Sequence, residues 1–465
     1  MEYLKYWYPK TQLEKEGLKV VSLIKKSGFL AFWVGGTVRD ILLRRKADNI
    51  DIATSLNPKE IAKLLRRAKL KTLFFGEKFG TICVATKYGL IEITTFRKES
   101  DYQDFRHPSK VEFVNSLDAD SKRRDFTISA MYFDPIERKL FDPQKGLVDL
   151  ENKIIRFVGD PVKRINEDPL RLLRAIRIAA QLNFTIEKKS AQAIKKYSLS
   201  VLKISKERVK QELDKIMTLD KPGVGLRLLD QLELLEKFLP ELSAVKKSFH
   251  NSSTYHLEGN VFDHTLLTVD YLPENNLDLR YAGFFHDIGK DKVFAIRKIG
   301  KDKINSFQNH HLRSVDKYKL IAKRLGFSKA SRSRVLWLIE NHDDLYKFDK
   351  LPCEKQSDLI FNPNINDLIL LGKADDEANI QTQKMKKYGW KEAKKLLIKK
   401  IKKEKIVNKF SSGKFLIRKF HLTSDKFFGK LQKEIKLRIL FNKIKNFTDL
   451  EKFLANTLDK NKKIV

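Results

Sequence analysis

The chain has 465 residues, 42% hydrophobic and 33% charged, with 94 Lys and Arg against 59 Asp and Glu and a formal net charge of +35. That length predicts about two to four domains, and a charge that large would repel itself in a compact body without a polyanionic partner, with nucleic acid the first candidate. Two cysteines far apart, Cys83 and Cys353, exclude a disulfide framework, and no run reaches the ~18–20 apolar residues of a membrane-spanning helix, so the composition predicts a soluble cytoplasmic protein.

In chain order, residues 11–27 carry helical periodicity ending at Gly28, and "FLAFWVGG" reads as a buried strand running into a turn. "TVRDILLRR" is a second helix, and "NIDIATS", "KTLFF", "GTICVATKY", "LIEITTFRK" and "KVEFV" read as strands of one sheet. This α+β unit ends near "FDPQKGLVDL", after which the pattern is helical from about Asn152 onward. "EDPLRLLRAIRIAAQLNF" has apolar residues at three-to-four spacing, with Pro169 suited to a first turn. A histidine-bearing helical block follows from about His256 to Asn379. From Lys384 onward there are 26 Lys and Arg against 7 Asp and Glu, interleaved with Phe, Ile and Leu, which predicts folded helices with a basic face.

Four clusters in the first half bear chemistry. Gly35 and Gly36, between a strand and a helix, offer bare backbone N–H groups to phosphate, and Arg39 adds a charged donor. Residues two apart on a strand share a face, so a D-x-D pattern can hold two Mg²⁺ ions with a third acid on a neighbouring strand. Here Asp51 and Glu92 are the available acids, and Asn49 stands where the remaining carboxylate belongs. Its amide oxygen can ligate but carries no charge, while the adjacent Asp48 is expected on the opposite side of the strand. In "RRDFTISAM", Arg123 and Arg124 can reach phosphate and Asp125 can accept from a ribose. Asp168 and Arg171, three apart, read as sharing a helix face, where a carboxylate and a guanidinium can match the Watson–Crick edges of C and A but not of U or G.

Together "VGGTVRD", "NIDIATS", "EITTFRKESDYQDFRHP", "RRDFTISAM" and "NEDPLRLLRAIRIAAQLNF" resemble, in order, the class II tRNA nucleotidyltransferase and bacterial poly(A) polymerase family, over roughly Gly28 to Leu239. The resemblance implies an α+β head at 1–148 with a mixed sheet, an all-α neck at 149–245, a body at 246–382 and a tRNA-holding tail at 383–465. It places Asp51 and Glu92 at the catalytic metals, Gly35, Gly36 and Arg39 on the triphosphate, Arg124 and Asp125 on the ribose, and Asp168 and Arg171 on the base. The implied substrates are tRNA, CTP and ATP, with Mg²⁺ as cofactor. Ser129 and Asn49 depart from the family pattern, the second at the first metal Asp. Full CCA addition, A-addition alone and poly(A) synthesis all fit, whereas "RKESDYQDFRHP" resembles a flexible loop that CC-only enzymes lack.

His264, His286, Asp287, His310, His342 and Asp375, spread over several helices, suit one or two transition-metal ions. This block resembles the HD phosphohydrolase domain, which implies Mn²⁺, Ni²⁺ or Zn²⁺ and a phosphate-facing Lys290. A hydrolase whose transferase head is impaired by Asn49, and a protein that only binds or chaperones tRNA, are the readings set against the transferase. The stretch "SSGKFLIRKFHLTSDKFFGKLQKEI" resembles the tail of HD-bearing members, with Ser424 and Asp425 departing from the usual Pro–Gly.

Overall fold

A computed structural model of the chain describes residues 4, 6–73, 80–102, 108–249, 257, 259–293, 295–299, 302–380, 389–422 and 426–462. The chain forms two units, Met1–Leu219 with Val224–Pro240 and Asp220–Gly223 with Glu241–Val465.

In the first unit, helix Gln12–Lys26 starts at a capping box between Thr11 and Glu14. Its apolar face lies on a sheet, so closely that a Cβ on Gly17 would sit 3.0 Å from Ile50 Cγ2. The strands of the unit are β1 (Ala31–Val34), β2 (Ile50–Thr54), β3 (Thr72–Leu73), β4 (Thr81–Thr86), β5 (Gly89–Thr95), β6 (Arg97–Tyr102), β7 (Pro108–Phe113), β8 (Tyr132–Asp134) and β9 (Lys139–Phe141). Seven of them form one mixed sheet in the order β3-β4-β5-β2-β1-β8-β9. β2 runs antiparallel to β1 and parallel to β5, which sets Asp51 directly opposite Glu92.

β6 and β7 pair only with each other, so "KVEFV" belongs to a separate ribbon and not to the sheet. The chain leaves the sheet at Phe96, which is buried with Phe32, Val34, Ala53 and Tyr132, and the next backbone N–H, of Arg97, donates to Asp120 Oδ1 at 3.2 Å instead of a strand. The "RKESDYQDFRHP" segment thus has β-ribbon flanks, and its residues 103–107 lie outside the described residues, as do 74–79 of the "KTLFF" region.

The rest of this unit is mainly helical, with a two-residue parallel ladder between Ile154–Ile155 and Thr185–Ile186 that helical periodicity does not register. Helix Leu170–Leu182 buries Leu172, Leu173, Ile176 and Ala179 and packs on helix Lys206–Met217, which buries Val209, Leu213 and Ile216.

In the second unit, helices Val261–Asp270, Leu277–Phe285, His310–Arg324, Lys329–Asn341 and Ile365–Ala378 surround a polar centre, and Tyr281, Phe285, Tyr318 and Phe327 pack nearby. A hairpin of Ala295–Ile299 and Asp302–Ser306 interrupts the block expected to be wholly helical. The basic segment is helical, with the rings of Phe410, Phe415, Phe420 and Phe447 packed together; Ser424 and Asp425 lie outside the described residues. Among the described residues no helix is long and apolar enough to cross a membrane.

Candidate functional site

The first unit holds a cavity of about 890 Å³ lined by Gly35, Gly36, Arg39, Asn49, Asp51, Arg124, Asp125, Asp168 and Arg171, which brings four separate sequence clusters to one place. Gly35 has φ +67°, and a Cβ there would lie 3.2 Å from Asp51 Oδ2, so both backbone conformation and space favour glycine. Asp51 is anchored by its own backbone N–H, which donates to Thr37 Oγ1 at 2.8 Å, and that hydroxyl donates to Asn49 O at 3.3 Å. Burial, and then the facing Glu92, push the Asp51 carboxyl up to about 6. Asp51 lines the cavity and Glu92 does not, but as register partners on adjacent strands the two carboxylates fit a divalent cation, which would relieve both penalties.

Several expectations need correction. Asn49 and Asp48 are exposed and precede β2, so strand alternation does not govern them, and Asp48 lines the same cavity as Asp51 instead of facing away. Arg39 is forked onto its neighbour Asp40, with Nε–Oδ1 2.9 Å and Nη2–Oδ2 3.0 Å. Asp168 is not on the base-reading helix: it has φ −147° and ψ 101°, because Pro169 excludes the residue before it from helical geometry, and the helix begins at Leu170.

Most of the cavity's arginines, and its acids Asp125 and Asp168, already have partners within the unit. Asp125 takes Arg174 Nε at 2.8 Å and Nη2 at 2.5 Å on Oδ2, and the Phe126 N–H at 2.9 Å on Oδ1. Burial alone would raise this carboxyl, but Arg174 outweighs it and holds the pKa down to about 2. Arg124 donates to the Tyr132 hydroxyl at 3.0 Å and to Asp120 Oδ2 at 3.1 Å. Asp120, fully buried, also receives Arg123 Nε at 2.7 Å and the Tyr132 hydroxyl at 2.6 Å; these cations overcome burial and hold it down to about 2.

Asp168 is gripped by Arg208, Nη1–Oδ1 3.2 Å and Nη2–Oδ2 2.8 Å. Arg171 bonds through Nη1 to Arg164 O and to Glu167 Oε2, each at 2.7 Å. Arg177 pairs with Glu212 at 2.7 Å. Sequence reading missed Asp120, Tyr132, Arg174, Arg177, Arg208 and Glu212. The three-residue spacing of Arg171, Arg174 and Arg177 was the available signal for two of them.

The second unit gathers the six residues of the histidine block. The Nδ1 atoms of His286, His310 and His342 lie 2.7, 3.1 and 2.7 Å from the carbonyl oxygens of Gly283, Phe307 and Ile339, each three residues earlier. A carbonyl only accepts, so each Nδ1 is the donor, and in the neutral ring Nε2 is a bare lone pair. His310 Nε2 and His342 Nε2 face each other at 3.0 Å, an arrangement that calls for a shared cation. Asp287 reaches both sides, with Oδ1 3.2 Å from His310 Nε2 and Oδ2 3.3 Å from His286 Nε2. His264 Nε2 lies 2.7 Å from Asp375 Oδ1, whose other oxygen accepts from Tyr346 at 2.5 Å. Two ligand groups result, His264–His286–Asp287 and Asp287–His310–His342, sharing one carboxylate and fitting two metal ions.

Burial, then His310 and His286, push His342 down to about 4, the neutral form a metal requires. Lys290 does not project into open space; its side chain is 12% exposed, with the ammonium 2.7 Å from Asp287 Oδ2.

Comparison with known proteins now bears on both sites. Residues 31–156 match the Poly A polymerase head domain, 183–246 the probable RNA and SrmB-binding site of polymerase A, and 260–361 the HD domain. These define an HD-bearing nucleotidyltransferase of the poly(A) polymerase class. A Streptococcus suis CCA-adding enzyme is 32% identical over 437 residues, covering 93% of this chain and 94% of that one. A Pediococcus pentosaceus CCA-adding enzyme is 43% identical over 240 residues, 51% of this chain and 59% of that one. The structure of the Bacillus stearothermophilus CCA-adding enzyme in complex with CTP shares the fold, with TM-score 0.69 at 22% identity over 97% of this chain and 100% of that one. The chain belongs to the CCA-adding enzyme family.

Proposed function

We propose that this chain builds or repairs the 3′-terminal CCA of tRNA in the cytoplasm, without a nucleic-acid template, using CTP and ATP. The observation that carries the reading is the one cavity shared by the Gly35–Gly36 turn, Asp51, the Arg124–Asp125 pair and the Asp168–Arg171 pair. In this reading the four-part division at 1–148, 149–245, 246–382 and 383–465 separates catalysis, base reading, hydrolysis and tRNA holding.

The 3′-oxygen of the RNA forms a bond to the α-phosphorus of the nucleotide, the α–β bridging bond breaks, and pyrophosphate leaves with the hydroxyl proton released. Asp51 and Glu92, with the neutral oxygen of Asn49, would hold Mg²⁺, which supplies positive charge to the phosphates and to the attacking oxygen. Arg39 and Arg124 stand at the cavity wall as donors to the triphosphate, their nitrogens not used by Asp40 and Asp120 being available to it. Asp125 orients the ribose, while Asp168 accepts from the exocyclic amine of C or A and Arg171 donates to the ring acceptors. The basic helices of the tail contact phosphates without reading sequence.

The test is purified protein with tRNA lacking its 3′ end, Mg²⁺ and each NTP in turn. Incorporation of CTP and ATP, and not UTP or GTP, is expected; no incorporation of either sinks the reading. Incorporation of ATP alone, or of long A tracts, redirects it to A-addition or poly(A) synthesis.

A second activity is favoured by the opposed bare Nε2 atoms of His310 and His342. His264, His286, Asp287, His310, His342 and Asp375 would hold Mn²⁺, Ni²⁺ or Zn²⁺, which supplies an activated water and Lewis-acid charge toward a phosphoester at an RNA 3′ end. RNA ending in a 2′,3′-cyclic phosphate or a 3′-phosphate, incubated with each metal, tests it; an unchanged end with all three overturns it. If Asn49 disables the head, this hydrolase is the surviving activity, and Asn49→Asp restores incorporation.

A further inference from the structure

We infer that Arg208, on helix Lys206–Met217, is a positioning residue that sets nucleotide choice by keeping Asp168 from closing onto Arg171. The inference rests on the base-reading role proposed above and assigns the group that makes it possible.

Asp168, just before the helix, and Arg171, in its first turn, carry opposite charges and line one cavity, so without other partners they would attract each other. Closed on each other, Asp168 and Arg171 would offer a base neither a fixed acceptor nor a fixed donor. Instead they are held apart by separate anchors. Arg208 grips both oxygens of Asp168, at 3.2 and 2.8 Å, and the Leu170 N–H adds a third contact to Oδ1 at 3.0 Å. Arg171 is fixed through Nη1 alone, by Arg164 O and Glu167 Oε2.

A two-point grip fixes the plane of the carboxylate as well as its position. Oδ1 is taken up by Arg208 and the Leu170 N–H, but Oδ2, with Arg208 Nη2 as its one contact, keeps a further lone pair for an exocyclic amine, and Arg171 keeps its remaining nitrogens for ring acceptors. The side chains of Arg208 and Asp168 are each 18% exposed and both line the cavity, so a base can reach the reader without displacing the anchor. The helix that carries Arg208 also carries Glu212, buried and paired with Arg177 at 2.7 Å, so two ion pairs of opposite sense hold it against the reading helix and the residue just before it.

The test is equilibrium binding of CTP, ATP, UTP and GTP to the full chain with Mg²⁺, beside inorganic tripolyphosphate as a probe without a base. The parent is expected to prefer CTP and ATP. Arg208→Gln loses at least tenfold of that preference, with tripolyphosphate binding and melting temperature unchanged; Arg208→Lys, which keeps charge but not the two-point grip, loses part of it. An Arg208→Gln protein with the parent's selectivity overturns the inference, as does equal weakening of all four nucleotides together with tripolyphosphate. Should Arg208→Gln not fold, parental selectivity in Arg208→Lys overturns it. A parent that binds all four nucleotides alike overturns the base-reading role itself, and the inference with it.

Discussion

The head cavity and the histidine centre both gather charged groups in one place, by opposite means. In the histidine centre three of the rings are locked by main-chain carbonyls three residues earlier, and Asp287 joins the two halves, so the protein alone completes the ligand set. In the head, Arg39, Arg124 and Arg174 each rest on an acid of the same unit, and Asp51 and Glu92 face each other with Asn49 adding no charge. The first centre is preorganised for a cation. In the second, the arginines rest on internal carboxylates.

The largest expected effect would separate the two sites. Asp51→Asn should reduce nucleotide incorporation by about 10³-fold, roughly 4 kcal/mol of barrier, and leave the metal content of the histidine centre unchanged by elemental analysis. Equal loss at both sites would show that they are not independent.

Asp287→Ala is the converse. It removes the shared ligand and leaves Lys290 without its nearest buried carboxylate, so a stability loss of about 3 kcal/mol is expected, together with loss of bound transition metal. Retained metal after this change would end the account of Asp287 as the joining ligand.

Asp120→Asn sharpens the electrostatic side. The Asp120 carboxyl sits at about 2 in the fold against an ordinary 3.8, so its stabilisation is complete above about pH 4 and lost as pH falls toward 2. Urea titrations should show the variant about 2–3 kcal/mol less stable at pH 7, with the gap shrinking below pH 4. Asp51 has the opposite sign: its raised pKa costs the fold stability as pH climbs from about 4 to about 6, and Mg²⁺ should recover that loss in the parent but not in Asp51→Asn.

The smaller changes concern geometry and charge count. Asn49→Asp should raise Mg²⁺-dependent incorporation about tenfold or more, roughly 1.4 kcal/mol; an unaltered rate would mean the neutral amide suffices. Gly35→Ala should cost about 1–2 kcal/mol, through positive φ and the approach to Asp51, read as a lower denaturation midpoint.

The pairing of Asp51 with Glu92 was legible because both lie on β-branched strands whose alternation fixes the face, and the histidine set because ligand types recur on helices. What stayed hidden has physical reasons. Arg208 meets Asp168 from 40 residues away, on a helix whose sequence shows only a solvated-looking charge pattern. The position of Asp168 outside the reading helix was available from the following proline and outweighs the three-residue spacing. At the start of the separate β6–β7 ribbon, the Arg97 N–H donates to Asp120, a tertiary contact that strand propensity does not encode.

The carbonyls behind His286, His310 and His342 belong to every amino acid alike. Drift can erase a ligand at this centre, but substitution at Phe307 or Ile339 leaves the acceptor in place, so the aim of those two imidazoles is set by the backbone path and not by the identity of the residue behind them. A lineage that lost one histidine would keep the socket, and a single reversion would restore a correctly oriented ring.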